Sequence, residues 1–402
     1  MAAASNPQKG NATSAIALLS IAAFAAQAMV RVTDSLLPQI ATDLNVTVGA
    51  TSVIVTFYML AHGSVQLVAG TIGDRFGKYL CAAFAASVAT VMVALCGLAP
   101  TLSSLVGARI GSGLATGWII PLALAFIGDV VPFQRRQQAI GGFLSGQILG
   151  QLFGQAAGGI LGDFFGWRKV FFLLAFLLAL ATSGLFVELW RNPISRARNP
   201  QAAAKTGFIA GYKAVFGSAW ARTVIVMAFI EFGSMFGAFT YVGADLHLRF
   251  GVSFTLVGIF VSTFAIGGLI YSFSVRQLVT LLGPSALALC GGCLLAAAYL
   301  MLTFSPHAYM APVATTIIGL GFYMLHNTLQ TQATQMTPEA RGTAVAVFSS
   351  SLYLGQTAGV AISGAVFDRF GAPPVFLAAA AVLVALGFWF SVQIKRRICR
   401  GI

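Results

Sequence analysis

Long apolar segments alternate with short polar stretches along the whole chain. Twelve of these segments extend for about 20 residues, the length that a helix needs to cross a bilayer. A soluble protein would not carry so many apolar runs of this length, so the pattern predicts an all-α integral membrane protein. The predicted spans cover residues 15–38, 49–69, 80–99, 102–127, 139–161, 170–189, 223–246, 253–274, 284–304, 309–331, 343–366 and 373–393.

Composition supports a chain embedded in lipid. Of its 402 residues, 58% are hydrophobic and only 8% are charged, which leaves the loops as the main place for charge. The net charge of +13 would suggest a nucleic-acid partner in a soluble protein. Here the basic residues occupy short loops and the C-terminal tail, and basic helices of the kind that enter nucleic-acid grooves are missing. We therefore expect the lipid bilayer as a partner, and no nucleic acid.

Basic residues also distinguish the two sides of the membrane. In the loops on one side, the only Lys and Arg residues are Arg168, Lys169, Arg249 and Arg369. Most of the others lie in loops on the other side or near the two ends of the chain. Cytoplasmic loops carry an excess of Lys and Arg, so we expect a multi-pass protein of the plasma (inner) membrane with both termini in the cytoplasm.

The longest loop divides the spans six and six. We expect an N-terminal six-helix bundle (1–190), a cytoplasmic linker loop (191–221) with an amphipathic piece near Phe208–Phe216, and a C-terminal six-helix bundle (222–402). A shift of about 205 residues superposes the bundles: it pairs Asp163 with Asp368, Gly166 with Gly371 and Gly77 with Gly283. Related halves predict pseudo-two-fold symmetry, as in transporters built from parallel repeats.

A charged turn, GTIGDRFGKY, joins the second and third spans. Its glycines permit a tight turn, and its charges must lie in water or be paired. One interpretation is a basic loop that follows the charge rules of membrane topology. The other is a conformational gate: its carboxylate would pair with a basic residue, or with a helix end of the other bundle, when the cytoplasmic side is closed. Arg276 and Thr280 replace Gly70 and Asp74 in the second copy, so the gate is asymmetric. The gate residues that we predict are Gly70, Gly73, Asp74, Arg75, Gly77, Arg135 and Arg136.

Four charged side chains fall well inside spans: Arg31, Asp34, Arg109 and Glu231. Each is costly in hydrocarbon, so each needs a partner or a cavity. Arg31 and Asp34 are three residues apart on one helical face, and they either satisfy each other or contact a substrate or proton. Glu231 has no basic residue near it in sequence, which makes it our first candidate for loading and releasing a proton.

Two histidines lie inside spans, His62 beside Tyr58 and His326 beside Tyr323 and Asn327. Each either binds substrate or titrates near neutral pH, or is a neutral hydrogen-bonded helix residue. No hydrolase elbow, zinc motif or metal-ligand cluster is recognisable, and the cysteines at 290 and 293 lie in an apolar segment. We therefore expect no enzyme activity, no cofactor and no metal.

The fifth span carries two stripes at a spacing of four residues. Gly150, Gly154 and Gly158 would permit close helix packing. Gln147, Gln151 and Gln155 lie beside them and should point toward a crevice, because an amide that faces lipid would have no hydrogen-bond partner.

These motifs resemble those of the major facilitator superfamily over nearly the whole chain. The turn Gly70–Tyr79 matches that family's loop signature, and Arg109 with Gly113 and Gly117 is similar to its fourth-helix motif. The fifth span resembles the motif associated with antiporters, in particular its drug/proton and sugar or metabolite efflux branch, although Gln155 stands where a proline is expected. The resemblance implies two bundles that rock about a cavity lined by helices one, four, seven and ten, and it links Arg109 to proton coupling.

We therefore expect a secondary active transporter that works by alternating access and that couples multidrug-like efflux of small amphiphilic molecules to proton antiport. The proton-coupling residues would be Glu231, Asp34 and Arg109. The substrate-binding residues would be Arg31, Asp34, Tyr58, His62, Gln147, Gln151, Glu231, Phe232, Phe236, Tyr323, His326, Asn327 and Tyr353.

Two alternatives stay open at this point. A proton-driven importer of a small nutrient would accumulate substrate inward when the outside is acidic, whereas an exporter would acidify the cytoplasm as it expels substrate. A membrane receptor that transports nothing would show no flux and would tolerate changes at Arg109 and Glu231, but it would have no need of costly buried charges. We expect the protein to act as a monomer.

Overall fold

The computed structural model describes residues 8–196 and 208–399, which form helices and connecting turns. The N-terminal bundle has six helices: α1 (Gln8–Arg31 and Thr33–Asp43), α2 (Val48–Thr51 and Val53–Phe76), α3 (Lys78–Leu98), α4 (Leu102–Thr116 and Ile119–Val130), α5 (Phe133–Phe165) and α6 (Trp167–Arg191). The C-terminal bundle has six more: α7 (Ala219–Phe239 and Val242–Phe250), α8 and α9 (together Phe254–Ser262 and Phe264–Phe304, with the turn between α8 and α9 at Gly283), α10 (Ala311–Ala333), α11 (Arg341–Phe370) and α12 (Ala372–Cys399).

The prediction of twelve transmembrane helices in two bundles is confirmed. Ten helical segments of the described chain are long and apolar enough to span a bilayer. One of them, Phe254–Phe304, contains two helices, because Gly283 has φ +66° and turns the chain between α8 and α9. The twelfth helix is α5, whose glycine and glutamine stripes make it less apolar than the others.

Several helices extend past the predicted spans. The prediction for α5 covers residues 139–161, whereas the helix is Phe133–Phe165. The apolar pattern stops where a helix leaves the hydrocarbon, but the backbone hydrogen bonds continue into water, so hydropathy alone underestimates helix length.

Four glycines with positive φ mark equivalent turns in the two bundles. Gly77 (φ 103°) and Gly283 (φ 66°) end α2 and α8, and Gly166 (φ 81°) and Gly371 (φ 74°) end α5 and α11. Residues with a Cβ rarely adopt this conformation. The sequence shift pairs the same glycines, so the repeat corresponds to structurally equivalent positions.

Glycines also determine how closely α1 and α5 pack. A Cβ added at Gly150 would lie 2.2 Å from the Phe24 carbonyl oxygen, and one added at Gly154 would lie 2.3 Å from that of Ala28. Any larger side chain would therefore force the two helices apart. Gly158 lies further along the same contact, against Ser35 and Val32.

The two ends of the helices define two faces of the molecule. We call the end with the turn at Gly77 and the segments 192–196 and 208–218 the linker face, and the end with the turns at Gly166 and Gly371 the opposite face. A helix at Phe208–Gly217, where the sequence predicts an amphipathic piece, lies on the linker face. Its Tyr212 Oη donates a hydrogen bond to the Leu67 carbonyl of α2 at 2.7 Å. The rest of the predicted linker, residues 197–207, lies outside the described residues.

Breaks in α1 and α7 lie midway along the helices. The break in α1 falls at Val32, between Arg31 and Asp34. One turn further on, Pro38 has no N–H to donate to the Asp34 carbonyl. The break in α7 falls at Thr240 and Tyr241, and a Cβ added at Gly243 would lie 2.8 Å from the Asp34 carbonyl oxygen. The two bundles therefore meet where both helices are interrupted.

Candidate functional site

An aromatic cluster of the C-terminal bundle lies close to charged groups in the middle of the molecule. Phe232 of α7 is 4.9 Å from Phe236, 5.7 Å from Phe322 and 6.2 Å from Tyr353, measured between ring centroids. Tyr323 extends the cluster, 5.2 Å from Phe322. Rings at these distances form an apolar, polarisable surface that can hold the apolar part of a small molecule.

Within this cluster, Glu231 and His326 form a buried pair between α7 and α10. The His326 Nδ1 lies 2.9 Å from the Glu231 Oε2, within hydrogen-bond distance. The Glu231 side chain is fully buried, and its Oε1 has no hydrogen-bond partner among the described residues. His326 also stacks on Phe322, with 4.9 Å between centroids. A carboxyl group and an imidazole in this arrangement can hold one proton between them.

Arg31 and Asp34 lie at the break in α1 and form a loose ion pair. The Arg31 Nη1 is 3.7 Å from the Asp34 Oδ2, inside the range of an ion pair but too long for a hydrogen bond. The Arg31 guanidinium instead lies over the Phe236 ring, 3.6 Å from its centroid. Gln155 of α5 donates to the Asp34 Oδ2 at 3.5 Å. Arg31 therefore links the N-terminal bundle to the aromatic cluster.

Arg109 lies in the N-terminal bundle and is fully buried. Its Nε donates to the Ile54 carbonyl and its Nη1 to the Met29 carbonyl, both at 3.2 Å. The guanidinium also lies 3.9 Å from the Tyr58 ring centroid. These contacts are a cation–π interaction and hydrogen bonds to backbone carbonyls, which stabilise a buried cation without neutralising its charge.

Tyr58 and His62 continue the site on α2. The Tyr58 hydroxyl and the His62 Nδ1 both reach the Thr116 hydroxyl, at 2.7 and 3.2 Å. Across the bundle boundary, the His62 ring is 4.5 Å from that of Tyr353. The predicted histidine thus lies against the aromatic cluster and not in a separate site.

The remaining predicted polar residues line the margin of this region. Gln147 is buried and accepts a hydrogen bond from Gln27 at 3.4 Å, while Gln151 and Asn327 are half-buried. Several buried polar atoms have no hydrogen-bond partner among the described residues, and the following belong to the site: Arg31 Nε, Asp34 Oδ1, His62 Nε2, Gln147 Nε2, Gln155 Oε1, Glu231 Oε1 and the amide of Gln356. Buried polar groups normally bind something, so this set is suited to a polar ligand or to water.

The predicted gate residues lie at the linker face, and their described contacts stay within the N-terminal bundle. The Asp74 Oδ1 is 2.9 Å from the Lys78 Nζ, which also contacts Asp129. Arg136 donates to the Gly128 carbonyl at 2.5 Å. Asp74 therefore pairs with Lys78 in this conformation, whereas we predicted a pair with Arg135 or Arg136 or with a helix end of the other bundle when the linker face is closed. That gate stays a prediction.

Sequence reasoning did not find the partner of Glu231. Glu231 and His326 are far apart in the chain, so no local spacing connects them. Gln155 belongs to the predicted stripe of glutamines along α5, but its hydrogen bond to Asp34 could not be read from the sequence.

The sequence model of the Major Facilitator Superfamily matches residues 19–355 and 246–397. The chain belongs to this family. Multidrug resistance protein 1 of Bacillus subtilis is 23% identical over 364 residues, which are 89% of this chain and 90% of that protein. The transporter is therefore similar along nearly its full length to a protein named for drug resistance.

Solved structures show the same fold. The nucleoside transporter NupG has a TM-score of 0.75 at 12% identity, covering 95% of this chain and 99% of that one. The D-xylose-proton symporter has a TM-score of 0.74 at 13% identity, covering 94% and 96%. Family membership makes the protein a multi-pass membrane transport protein and not an enzyme.

Proposed function

We propose that this transporter exports small amphiphilic compounds in exchange for protons, by alternating access of a site between its two bundles. The observation that carries this proposal is the buried Glu231–His326 pair inside an aromatic cluster. The similarity to a multidrug resistance protein supports the same function.

The pair is suited to carry a proton. Both side chains are of types that can bind a proton, both are largely buried, and the Glu231 Oε1 has no hydrogen-bond partner among the described residues. When the pair holds one proton, Glu231 and His326 together are neutral; when it releases the proton, they carry one negative charge. Asp34 and Arg109 would influence the same step through their charges.

The surroundings of the pair are suited to an amphiphilic substrate. Phe232 and Phe322 lie against His326 at 5.2 and 4.9 Å, and they offer apolar area. The Glu231 carboxylate would accept a hydrogen bond from a substrate once the pair has released its proton to solvent. Proton and substrate would then compete for one group, and such competition produces exchange.

The placement in the membrane follows from charge. The linker face carries most of the basic loops and both ends of the described chain, so we assign it to the cytoplasm of a bacterial plasma membrane. The division at residues 190 and 222 and the monomeric state stay proposals; size-exclusion chromatography with light scattering tests the latter.

Substitution of the pair tests the proton-carrier role. In proteoliposomes, Glu231→Gln should slow substrate flux and remove its pH dependence, because glutamine is a neutral mimic of the protonated acid and cannot release a proton. His326→Gln should shift the pH dependence without removing it. The measurement is the rate of substrate flux from pH 5.5 to 8.5, set at roughly the range over which histidine and perturbed carboxyl groups titrate.

Two variants outside the site provide matched controls. Glu188→Gln and His307→Gln change the same residue types at the linker face and in the loop after α9. Both should behave like the wild type. Wild-type proton coupling in Glu231→Gln would disprove the role of the pair.

Import is the second candidate, and it is favoured by the fold shared with the D-xylose-proton symporter. In a symporter, substrate and proton bind together, so an inward proton gradient would drive accumulation of a pentose or another nutrient. The direction of proton movement therefore separates the two functions.

A further inference from the structure

Two aspartates at the opposite face each bridge the two bundles. Asp163 at the end of α5 accepts hydrogen bonds from the Thr255 backbone N–H and hydroxyl of α8, at 3.1 and 2.6 Å. Asp368 at the end of α11 accepts from the Gly49 backbone N–H and the Thr47 hydroxyl of α2, at 2.8 and 2.5 Å. Each carboxylate thus connects the last turn of one bundle's helix to the first turn of a helix in the other bundle.

The two contacts are related by the internal repeat. Thr47 and Ser253 are the N-caps of α2 and α8, and each aspartate binds the backbone N–H of the second residue after the N-cap. The aspartates are the pair that the shift of about 205 residues superposes. The backbone N–H position is the same in both contacts, although the hydroxyl comes from the N-cap residue Thr47 in one and from Thr255, two residues after the N-cap, in the other.

A close glycine contact lies one helical turn from each aspartate. A Cβ added at Gly159 would lie 2.4 Å from the Gly258 Cα. On the other side, a Cβ added at Gly49 would lie 2.4 Å from the Gly364 carbonyl oxygen. The helices of the two bundles therefore touch through their backbones, and each aspartate holds such a contact closed.

We propose that Asp163 and Asp368 are paired locks that hold the opposite face closed and must both release in each transport cycle. A hydrogen bond from a backbone N–H to a carboxylate is stronger than one between neutral groups, so the locks favour the conformation described here. They are positioning residues: they act on the equilibrium between conformations and touch no substrate. The proposal depends neither on proton coupling nor on the identity of the substrate.

Pulsed electron paramagnetic resonance on the full chain tests the locks. Spin labels at Ser103→Cys and His307→Cys, in a chain with its native cysteines replaced by alanine, report the separation of the bundles at the opposite face. Asp163→Asn and Asp368→Asn should each raise the ratio of open to closed protein about three- to tenfold. Since the two locks share no residue, the double variant should show about the product of the two factors.

Two further variants separate a lock from a general effect of charge. Thr255→Val removes a hydroxyl but keeps the backbone N–H, so its effect should be smaller than that of Asp163→Asn. Asp43→Asn is the matched control, because Asp43 lies on the same face but pairs with Arg168 and Trp167 of its own bundle, whose hydrogen bonds lower the pKa of its carboxyl group. It should leave the ratio unchanged.

Thiol reactivity detects openings that are too rare for the distance measurement. Ser52 is buried against Gly364 in the closed interface, so Ser52→Cys should react with a membrane-impermeant maleimide only when that face opens. The reaction rate should rise in each aspartate variant by the same factor as the open population. Asparagine variants that change neither readout, or an equal effect of Asp43→Asn, would overturn the proposal.

Discussion

The two faces of the transporter use their carboxylates differently. At the linker face, Asp74 and Asp129 share Lys78 inside the N-terminal bundle. At the opposite face, Asp163 and Asp368 each bind a helix of the other bundle. Of these four carboxylates, those at the opposite face link the two bundles in this conformation, and the described contacts of Asp74 and Asp129 stay within one bundle.

The glycines show the same contrast. At the opposite face, Gly159 and Gly49 have no room for a Cβ because the other bundle fills the space. At the linker face, Gly70, Gly128 and Gly142 have open space at that position. The tight glycine contacts between the bundles at the opposite face agree with a closed end there, as alternating access requires of one of its end states.

The repeat explains why the faces differ. Both copies of the opposite-face sequence contain the aspartate and the glycine that follows it, at positions 163 and 166 and at 368 and 371. At the linker face, Thr280 stands in the second copy where Asp74 stands in the first. Two symmetric locks on one side thus oppose a single predicted gate on the other.

The largest effect should come from a side chain that prevents the bundles from closing at the opposite face. In Gly159→Val, the new side chain would overlap the Gly258 backbone, so the bundles could not close and transport should fall at least about tenfold. Gly142→Val is the control, because a Cβ there meets open space. Flux in proteoliposomes measures both variants; equal activity would show that the close contact is not needed.

A smaller effect is expected at the linker face. If Asp74 pairs across the bundles only when that face closes, Asp74→Asn should slow transport about two- to tenfold and leave substrate affinity unchanged. Asp129→Asn also loses a contact with Lys78, but it should slow transport less, because Asp129 is not a gate residue. Equal losses of affinity and rate in Asp74→Asn would contradict a gate.

Much of the fold could be predicted from the sequence. The lengths of the apolar segments predict the twelve helices. The internal repeat, at a shift of about 205 residues, pairs the glycines at the turns, including Gly77 with Gly283. The ends of the helices could not be predicted as well, because a helix such as α5 continues beyond the hydrocarbon into water, where its residues are no longer apolar.

The site was only partly predictable. A charged side chain inside the bilayer is energetically costly, so the sequence indicates that Arg31, Asp34, Arg109 and Glu231 need partners. Their partners depend on how helices that are distant in sequence meet, so the His326 contact required the structure. The same is true of Asp163: the repeat pointed to it, but its bond to Thr255 depends on the packing of α5 against α8.

Proton movement during substrate transport tests the central claim most directly. In proteoliposomes that contain a pH dye, a panel with a lipophilic cation, a neutral drug, a nucleoside and a pentose would be added to one side. We predict that at least one amphiphilic compound drives protons in the direction opposite to its own movement, and that Glu231→Gln abolishes this proton flux. Protons that move together with the substrate would contradict exchange, and substrate flux without any proton movement would contradict proton coupling.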